Sequence, residues 1–374
     1  MASNKKYPRP IPLFKVFMPG NIHKEIIKTL QSGYIAEGKK VQEFSKKVSD
    51  FIGNPYVVPV SSCTMALAIA YQLAGIGKGD EVISTPLTCI ATNTPLLKLG
   101  ATIVWADCEP KTGMIDPKKL KRLITRKTKA IVVLHKDGDL AKMKEIMAIA
   151  KTHNLKVIED AAHVFGAKYR GVKIGNIGDY TCFSFQAIKH LTTGDGGAIV
   201  CKNQEDYKKA KKLKWFGLDK EEPHINQNIW MDDIDLIGDK GNMNDIAATI
   251  GLAQFPYTRS IISTFHKNGE LYNKLLQDVK GISLIDRDSK NYPTYWTYTL
   301  LIENRDRVIK ALAAAGIDSS IVHPRNDIYS IFKKFKKDLP GVDYYAAREL
   351  SLPCGWWVKQ GDIKRIVSII KKHA

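Results

Sequence analysis

The sequence predicts an α/β fold, with a mostly parallel sheet between helices and a smaller α+β unit after it. Three observations predict it. Short apolar stretches alternate with amphipathic helical stretches from Val57 to Cys201, the pattern of a parallel sheet covered on both faces. After about Lys280 the pattern changes to a sparser mixture of strands and helices. The 374 residues suffice for two units, a large one over 1–255 that includes the N-terminal segment and a small one over 256–374.

The elements follow in order. Pro8, Pro10 and Pro12 make the opening segment extended, because proline fixes φ and offers no amide hydrogen. Helical periodicity covers 23–31 and 41–52. Val57-Val58-Pro59-Val60 is a short strand that runs into Ser61-Ser62-Cys63-Thr64. Small hydroxyl residues there cap the helix that begins at Met65, and such a helix start also suits an anion. Strands are expected at 81–84, 102–105, 130–134, 156–160, 180–185 and 198–201, with helices at 92–99, 117–124 and 140–152 between the earlier ones. Residues 215–240 are polar, contain Pro223 and read as a long loop, a frequent place for function. A helix over 246–254, a strand over 297–302, a helix over 305–315, a strand around 320–322 and a helix over 362–372 complete the chain.

Composition narrows the function. Apolar runs such as Ala130 to Leu134 are far shorter than the ~20 residues of a membrane helix. No leader-like apolar core follows Met1 to Lys6, so a cytoplasmic protein is expected. Six cysteines are scattered without a C-x-x-C pair, which suits reduced thiols and argues against a zinc site. The net charge of +19 comes from dispersed lysine pairs, without a basic arm or an aromatic stripe. Neither nucleic-acid binding nor a membrane role is expected; an anionic small substrate is.

One lysine stands out. Cys182-Phe183-Ser184-Phe185 leads into a short loop with Lys189, and Thr192-Thr193-Gly194-Asp195-Gly196-Gly197 leads out to another apolar strand. A lysine on a surface loop ordinarily snorkels to water. Between buried strands its amine loses hydration, becomes neutral more easily and can form a Schiff base with an aldehyde. Asp160 ends the strand of Val157-Ile158-Glu159-Asp160-Ala161-Ala162-His163, where a carboxylate by itself need only cap a turn. An amine, a strand-end carboxylate and a hydroxyl-rich helix start together are what pyridoxal phosphate requires. All three fall at strand ends, where ligands of such sheets collect.

With these motifs, and with Ile250-Gly251-Leu252-Ala253-Gln254, nearly the whole chain from Ile11 onward resembles the DegT/DnrJ/EryC1/StrS sugar aminotransferases, in particular those grouped with perosamine synthases. The resemblance implies the pyridoxal-phosphate transferase fold of type I, with a mostly parallel seven-stranded-type sheet and a smaller C-terminal domain. It implies that Lys189 carries the cofactor and moves a proton, that Asp160 holds the pyridine nitrogen, and that His163 meets the phenolic oxygen. Ser184, Ser62, Cys63 and Thr64 would bind the phosphate. Cys89 stands where many relatives stack an aromatic ring, and Lys240 where a neighbouring subunit's asparagine reaches the phosphate. His323 and Arg325 fall on the family's substrate loop.

The implied reaction moves the amino group of L-glutamate, through pyridoxamine phosphate, onto a nucleotide-linked 4-keto-6-deoxyhexose. The product would be a 4-amino-4,6-dideoxysugar of perosamine or viosamine type for polysaccharide biosynthesis, made by a homodimer with shared sites. Amination of a 3-keto sugar and a pyridoxamine-dependent 3-dehydration are the alternatives within the family. Relatives that run the dehydration carry histidine at the lysine position, and this chain has Lys189. A regulatory protein on the same fold is the alternative outside enzymology.

Overall fold

The computed structural model describes residues 9–374. Pro8 and the Met1 to Lys6 stretch lie outside them. The main sheet has seven strands, β1 (Val57–Val60), β2 (Glu81–Ser84), β3 (Thr102–Trp105), β4 (Thr128–Leu134), β5 (Lys156–Asp160), β8 (Tyr180–Ser184) and β9 (Gly197–Cys201). A small ribbon, β6 (Lys168–Tyr169) with β7 (Val172–Lys173), interrupts their sequence. The order across the sheet is β1-β9-β8-β5-β4-β2-β3. β9 runs antiparallel to β1 and β8, and the other pairs are parallel. Therefore β1, β2, β4, β5 and β8 all end at one edge, where Asp160 closes β5 and the turns beyond hold Ser62, Cys89, Asp137 and Lys189.

Alternate residues of the strands face two layers, as a doubly covered sheet demands. On β4, Ile131 and Val133 join one apolar cluster while Ala130 and Val132 join the other. The first layer holds α2 (Lys39–Ile52), α5 (Pro117–Leu120), α6 (Met143–Thr152) and α8 (Asp245–Gln254), with α1 (Ile22–Gln31) packed on α8. α2 shows why: Val41, Phe44, Val48 and Ile52 recur every three or four residues and are all buried. Gly53 then ends it in the left-handed conformation, φ 81°. The second layer holds α3 (Cys63–Leu73), α4 (Ile90–Lys98) and α7 (Gln204–Leu213).

A second sheet is antiparallel, with β11 (Tyr298–Ile302) between β10 (Ile282–Leu284) and β12 (Glu349–Leu352). It shares a third core with α9 (Thr258–Leu276), α10 (Arg305–Ala314) and α12 (Gln360–His373). α11 (Pro340–Ala346) returns to the main sheet through Val342 and Tyr345. The N-terminal segment was grouped by sequence with the large unit, yet Ile11 belongs to this third core and bridges Ile317.

Three local readings change. The strand expected around 320–322 is one bridge, Ser320 to Ser351. The helix expected from Leu140 starts at Met143, because Asp137 adopts φ 55° and turns the chain first. The 19-residue α9 was not foreseen. Its buried stripe includes Asn268 and Gly269, which break the apolar period. Asn268 Nδ2 donates to the carbonyls of Cys354, Gly355 and Val358, and a Cβ on Gly269 would lie 2.4 Å from the Tyr295 ring.

A buried ion pair ties the two sheets together. Arg287 donates to both oxygens of Asp139, at 2.6 and 2.9 Å, and its guanidinium stacks 4.8 Å from the Tyr295 centroid. Arg287→Met should cost about 3–5 kcal/mol in urea unfolding, since it leaves a buried carboxylate unpaired. The double variant Arg287→Met/Asp139→Leu should regain at least half of that loss.

Candidate active site

Each candidate side chain is set by a strand end. β1 delivers Ser62, whose Oγ accepts from Met65 N at 3.1 Å and caps α3. Among the described residues, the N–H groups of Cys63 and Thr64, in the first turn, have no acceptor. Gly197 of β9 presses on this turn, for a Cβ there would lie 2.5 Å from Cys63 N. The helix start is thus held tightly while its two donors stay free, which fits a phosphate. Ser62 contributes its cap oxygen to the turn and keeps only its hydroxyl hydrogen for a ligand.

Asp160 ends β5 and is buried. It accepts from Thr92 Oγ1 at 2.6 Å and from Ala162 N at 3.2 Å. Thr92 is in turn 2.6 Å from Thr88 Oγ1. Burial raises the pKa of the Asp160 carboxyl, while the Thr92 and Ala162 bonds and the nearby Lys189 oppose it. Ser184 ends β8, and its Oγ accepts from Gln186 N at 3.3 Å. Cys63 lies nearby, its Sγ–H directed at Cys182 O at 3.5 Å. Burial pushes both the Cys63 and Cys89 thiols up, and Asp160 and Lys189 act on each of them.

Lys189 follows the β8 turn. The residue is half-buried, and desolvation lowers its amine to about 8, against the pull of Cys63 and Asp160. Its Nζ sits 3.7 Å from the centroid of Trp296. His190 turns away from it: Nε2–H donates to Thr294 O at 3.1 Å, the ring meets Phe265, and burial lowers its pKa to about 4.

His163 is fixed as one tautomer. Asp137 N donates to its Nδ1 at 3.2 Å, so Nε2 carries the proton. Burial and the Lys189 charge push its pKa well down, and the ring stays neutral. It stacks on Trp296 at 3.8 Å and lies parallel to His323 at 5.5 Å. Beside this stack Lys136 is buried between Asp137 Oδ2 (3.3 Å) and Glu349 Oε2 (3.0 Å).

Lys189, Asp160, His163, Ser184, Ser62, Cys63, Thr64, Cys89 and His323 therefore lie around one edge of the sheet. Two further residues stand differently: Lys240, expected to act from a neighbouring subunit, and Arg325. Lys240 is exposed on a segment bonded beside β1, with Ser61 N donating to Gly241 O at 2.7 Å. Arg325 does not stand free for a diphosphate: Asp327 takes it in two bonds of 2.6 Å and Asp343 takes a third. Thr92, Asp137 and Trp296 were missed by sequence. Asp137 follows a strand end and could have been noticed there; Thr92 sits in an ordinary helix pattern and Trp296 in the segment just before β11, with no local signal.

The donor set fits pyridoxal phosphate: an amine poised near neutrality, a buried carboxylate, a neutral N–H donor and a helix start with free amides. An amine-specific test follows. With a midpoint about 8 in place of 10.5, Lys189 has roughly 300 times the free-amine fraction of an ordinary lysine at pH 7. Reductive methylation of the cofactor-free protein should modify the Lys189 peptide first. Its rate should rise with pH and level off above about 8. A rise that continues to pH 10 would contradict this electrostatics.

Residues 18–371 match the DegT/DnrJ/EryC1/StrS aminotransferase family. GDP-perosamine synthase of Caulobacter vibrioides is 32% identical over 376 residues, covering 96% of this chain and 98% of its own. UDP-2-acetamido-2-deoxy-3-oxo-D-glucuronate aminotransferase of Pseudomonas aeruginosa is 31% identical, covering 92% of this chain and 94% of its own. The crystal structure of the sugar aminotransferase CalS13 from Micromonospora echinospora superposes with a TM-score of 0.93 at 33% identity, covering 97% of this chain and 100% of its own. The chain belongs to the DegT/DnrJ/EryC1/StrS family and is a pyridoxal-phosphate-dependent sugar aminotransferase.

Proposed function

We propose that this enzyme moves the amino group of L-glutamate to C4 of a nucleotide-linked 4-keto-6-deoxyhexose. The products are 2-oxoglutarate and a 4-amino-4,6-dideoxysugar nucleotide of perosamine or viosamine type, destined for polysaccharide biosynthesis. The observation that carries aminotransfer is the placement of Lys189: its Nζ lies on the Trp296 face at 3.7 Å at the strand-end edge that holds Asp160, and desolvation lowers the amine to about 8 against the pull of Cys63, Asp160 and Cys89. A histidine could not carry the cofactor, and His190 is committed to Thr294. For the sugar, the support is the likeness to the Caulobacter GDP-perosamine synthase and a net charge of +19, which attracts an anionic nucleotide.

Bound pyridoxal phosphate would supply the carrier of the amino group and an electron sink for the carbon that loses its proton. The chain's residues do the rest. Lys189 Nζ moves the proton at the carbon that gains or loses nitrogen. Asp160 holds a proton at the ring nitrogen, and His163 Nε2–H donates to the phenolic oxygen. Thr64, Ser184 and the first-turn amides of α3 bind the phosphate.

The active form in this reading is a cytoplasmic homodimer in which the partner's Lys240 completes the phosphate site. In support, all six cysteines are unpaired thiols and the loop leading to Lys240 exposes apolar side chains, Trp230 at 63% and Ile237 at 92%. His323 and the substrate loop then face the sugar nucleotide. The likeness to the Pseudomonas enzyme, named for a 3-oxo substrate, favours amination at C3 as the second reading.

A panel of 4-keto and 3-keto sugar nucleotides, incubated with glutamate, decides between them by product NMR. The expected result is 2-oxoglutarate together with a C4 amine. Turnover of 3-keto sugars alone would reject the C4 assignment, and a 3-deoxy product would reject aminotransfer to sugar as the main reaction.

A further inference from the structure

Among the described residues the Lys189 Nζ has no hydrogen-bond acceptor and no ion-pair partner; the contact it does make is with the indole face of Trp296, at 3.7 Å. The same indole reaches the lysine's backbone, since Trp296 Nε1–H donates to Ile188 O at 2.8 Å. It is 1% exposed, packed against the His163 ring at 3.8 Å and the Phe14 ring at 4.8 Å. One side chain therefore touches the peptide before the lysine, the lysine's ammonium and the histidine expected at the cofactor's phenolic oxygen.

The backbone around Trp296 repeats the pattern. Thr294 N donates to Gly138 O at 2.9 Å and Thr294 Oγ1 to His163 O at 3.1 Å. Thr294 O accepts from His190 Nε2, and Thr297 N donates to Asp137 O. The fit leaves no slack, because a Cβ on Gly138 would lie 2.3 Å from Tyr295 N. The strand entry at 294–297 is thus bonded to the Lys189 loop, the His163 turn and the Asp137 turn at once.

We propose that Trp296 is a positioning residue for the lysine of this enzyme: its Nε1–H fixes the Ile188–Lys189 turn, and its ring face carries the Lys189 ammonium where no carboxylate bonds it. A π face is suited to this duty. It stabilises the cation in a desolvated place, but unlike an ion-pair partner it makes no hydrogen bond that must break before the amine is used. The charged and titratable groups facing this ammonium are Asp160, Asp137, Cys63 and Cys89, with the neutral rings of His163, His190 and His323 around it. Trp296 adds a support that none of them supplies. The inference rests on the family chemistry and is independent of which sugar is aminated.

The test reads the amine directly, in full-length protein freed of cofactor, by the pH dependence of reductive methylation at the Lys189 peptide. Trp296→Leu should lower the midpoint by about one pH unit, a tenfold fall in the ratio of ammonium to free amine at fixed pH. Trp296→Phe keeps a π face and should lower it by less than half as much. Trp296→Phe should still speed hydrogen exchange of the 186–192 segment about tenfold, because the bond to Ile188 is gone. Where Trp296→Leu does not fold, Trp296→Met replaces it in the same measurement. An unchanged midpoint in the aliphatic variant, or equal shifts in the aliphatic and Phe variants, overturns the electrostatic part. Unchanged exchange in the Phe variant overturns the positioning part.

Discussion

Everything at the sheet edge answers to one constraint: an amine must be kept dry enough to react and yet be held in place. Lowering Lys189 from 10.5 to about 8 corresponds to about 3 kcal/mol against its ammonium. The sign follows from the lowered value. Below pH 8 the folded protein carries that cost in full, and it fades as the pH rises toward 10.5. The fold must bear this cost, and it does so by setting the lysine between a carboxylate buried behind Thr92 and a ring that accepts cations without bonding them. A better-paired lysine would be cheaper to fold and less reactive.

This constraint also explains why the C-terminal sheet is not an appendage. Trp296, His323 and Glu349 come from it or from the loops beside it, yet they lie against turns of the main sheet. The Arg287–Asp139 pair and the strand entry at 294–297 bind the two sheets where the site is built. Lys136 belongs to the same seam. Burial opposes its charge, but Asp137 and Glu349 more than compensate and hold its pKa up. The five charges of this seam, Arg287, Asp139, Lys136, Asp137 and Glu349, act less as a source of stability than as a means of fixing register, since an error of one residue would strand a charge.

What the sequence made legible was whatever depends on local order along the chain. The alternation of strands and helices revealed the parallel sheet, and Asp160 and Lys189 were visible because strand ends in such sheets face the ligand. Ser62 was visible as a helix cap. What stayed hidden depends on residues distant in sequence. α9 was obscured because Asn268 and Gly269 occupy buried positions, for reasons that lie in residues 354–358 and Tyr295. Trp296 is an aromatic just ahead of a strand, with nothing to mark it until Ile188 and His163 are brought to it. Arg325 looks like an anion ligand until Asp343, eighteen residues later, is seen to pair with it.

The three histidines near Lys189 show how the enclosure protects its own chemistry. Burial brings His190 and His323 each to about 4 and pushes His163 well below its ordinary value. All three are then neutral wherever the enzyme operates near neutral pH. Had any of them been charged, repulsion would push the lysine's pKa lower still and weaken its hold on the indole. Neutrality also serves His163 directly: with Nδ1 filled by the Asp137 amide, its one proton is fixed on Nε2, and it can donate a hydrogen bond without bringing a second cation to the amine. The same desolvation that makes the lysine reactive therefore keeps its neighbours from interfering, and a single physical cause sets four groups to their roles.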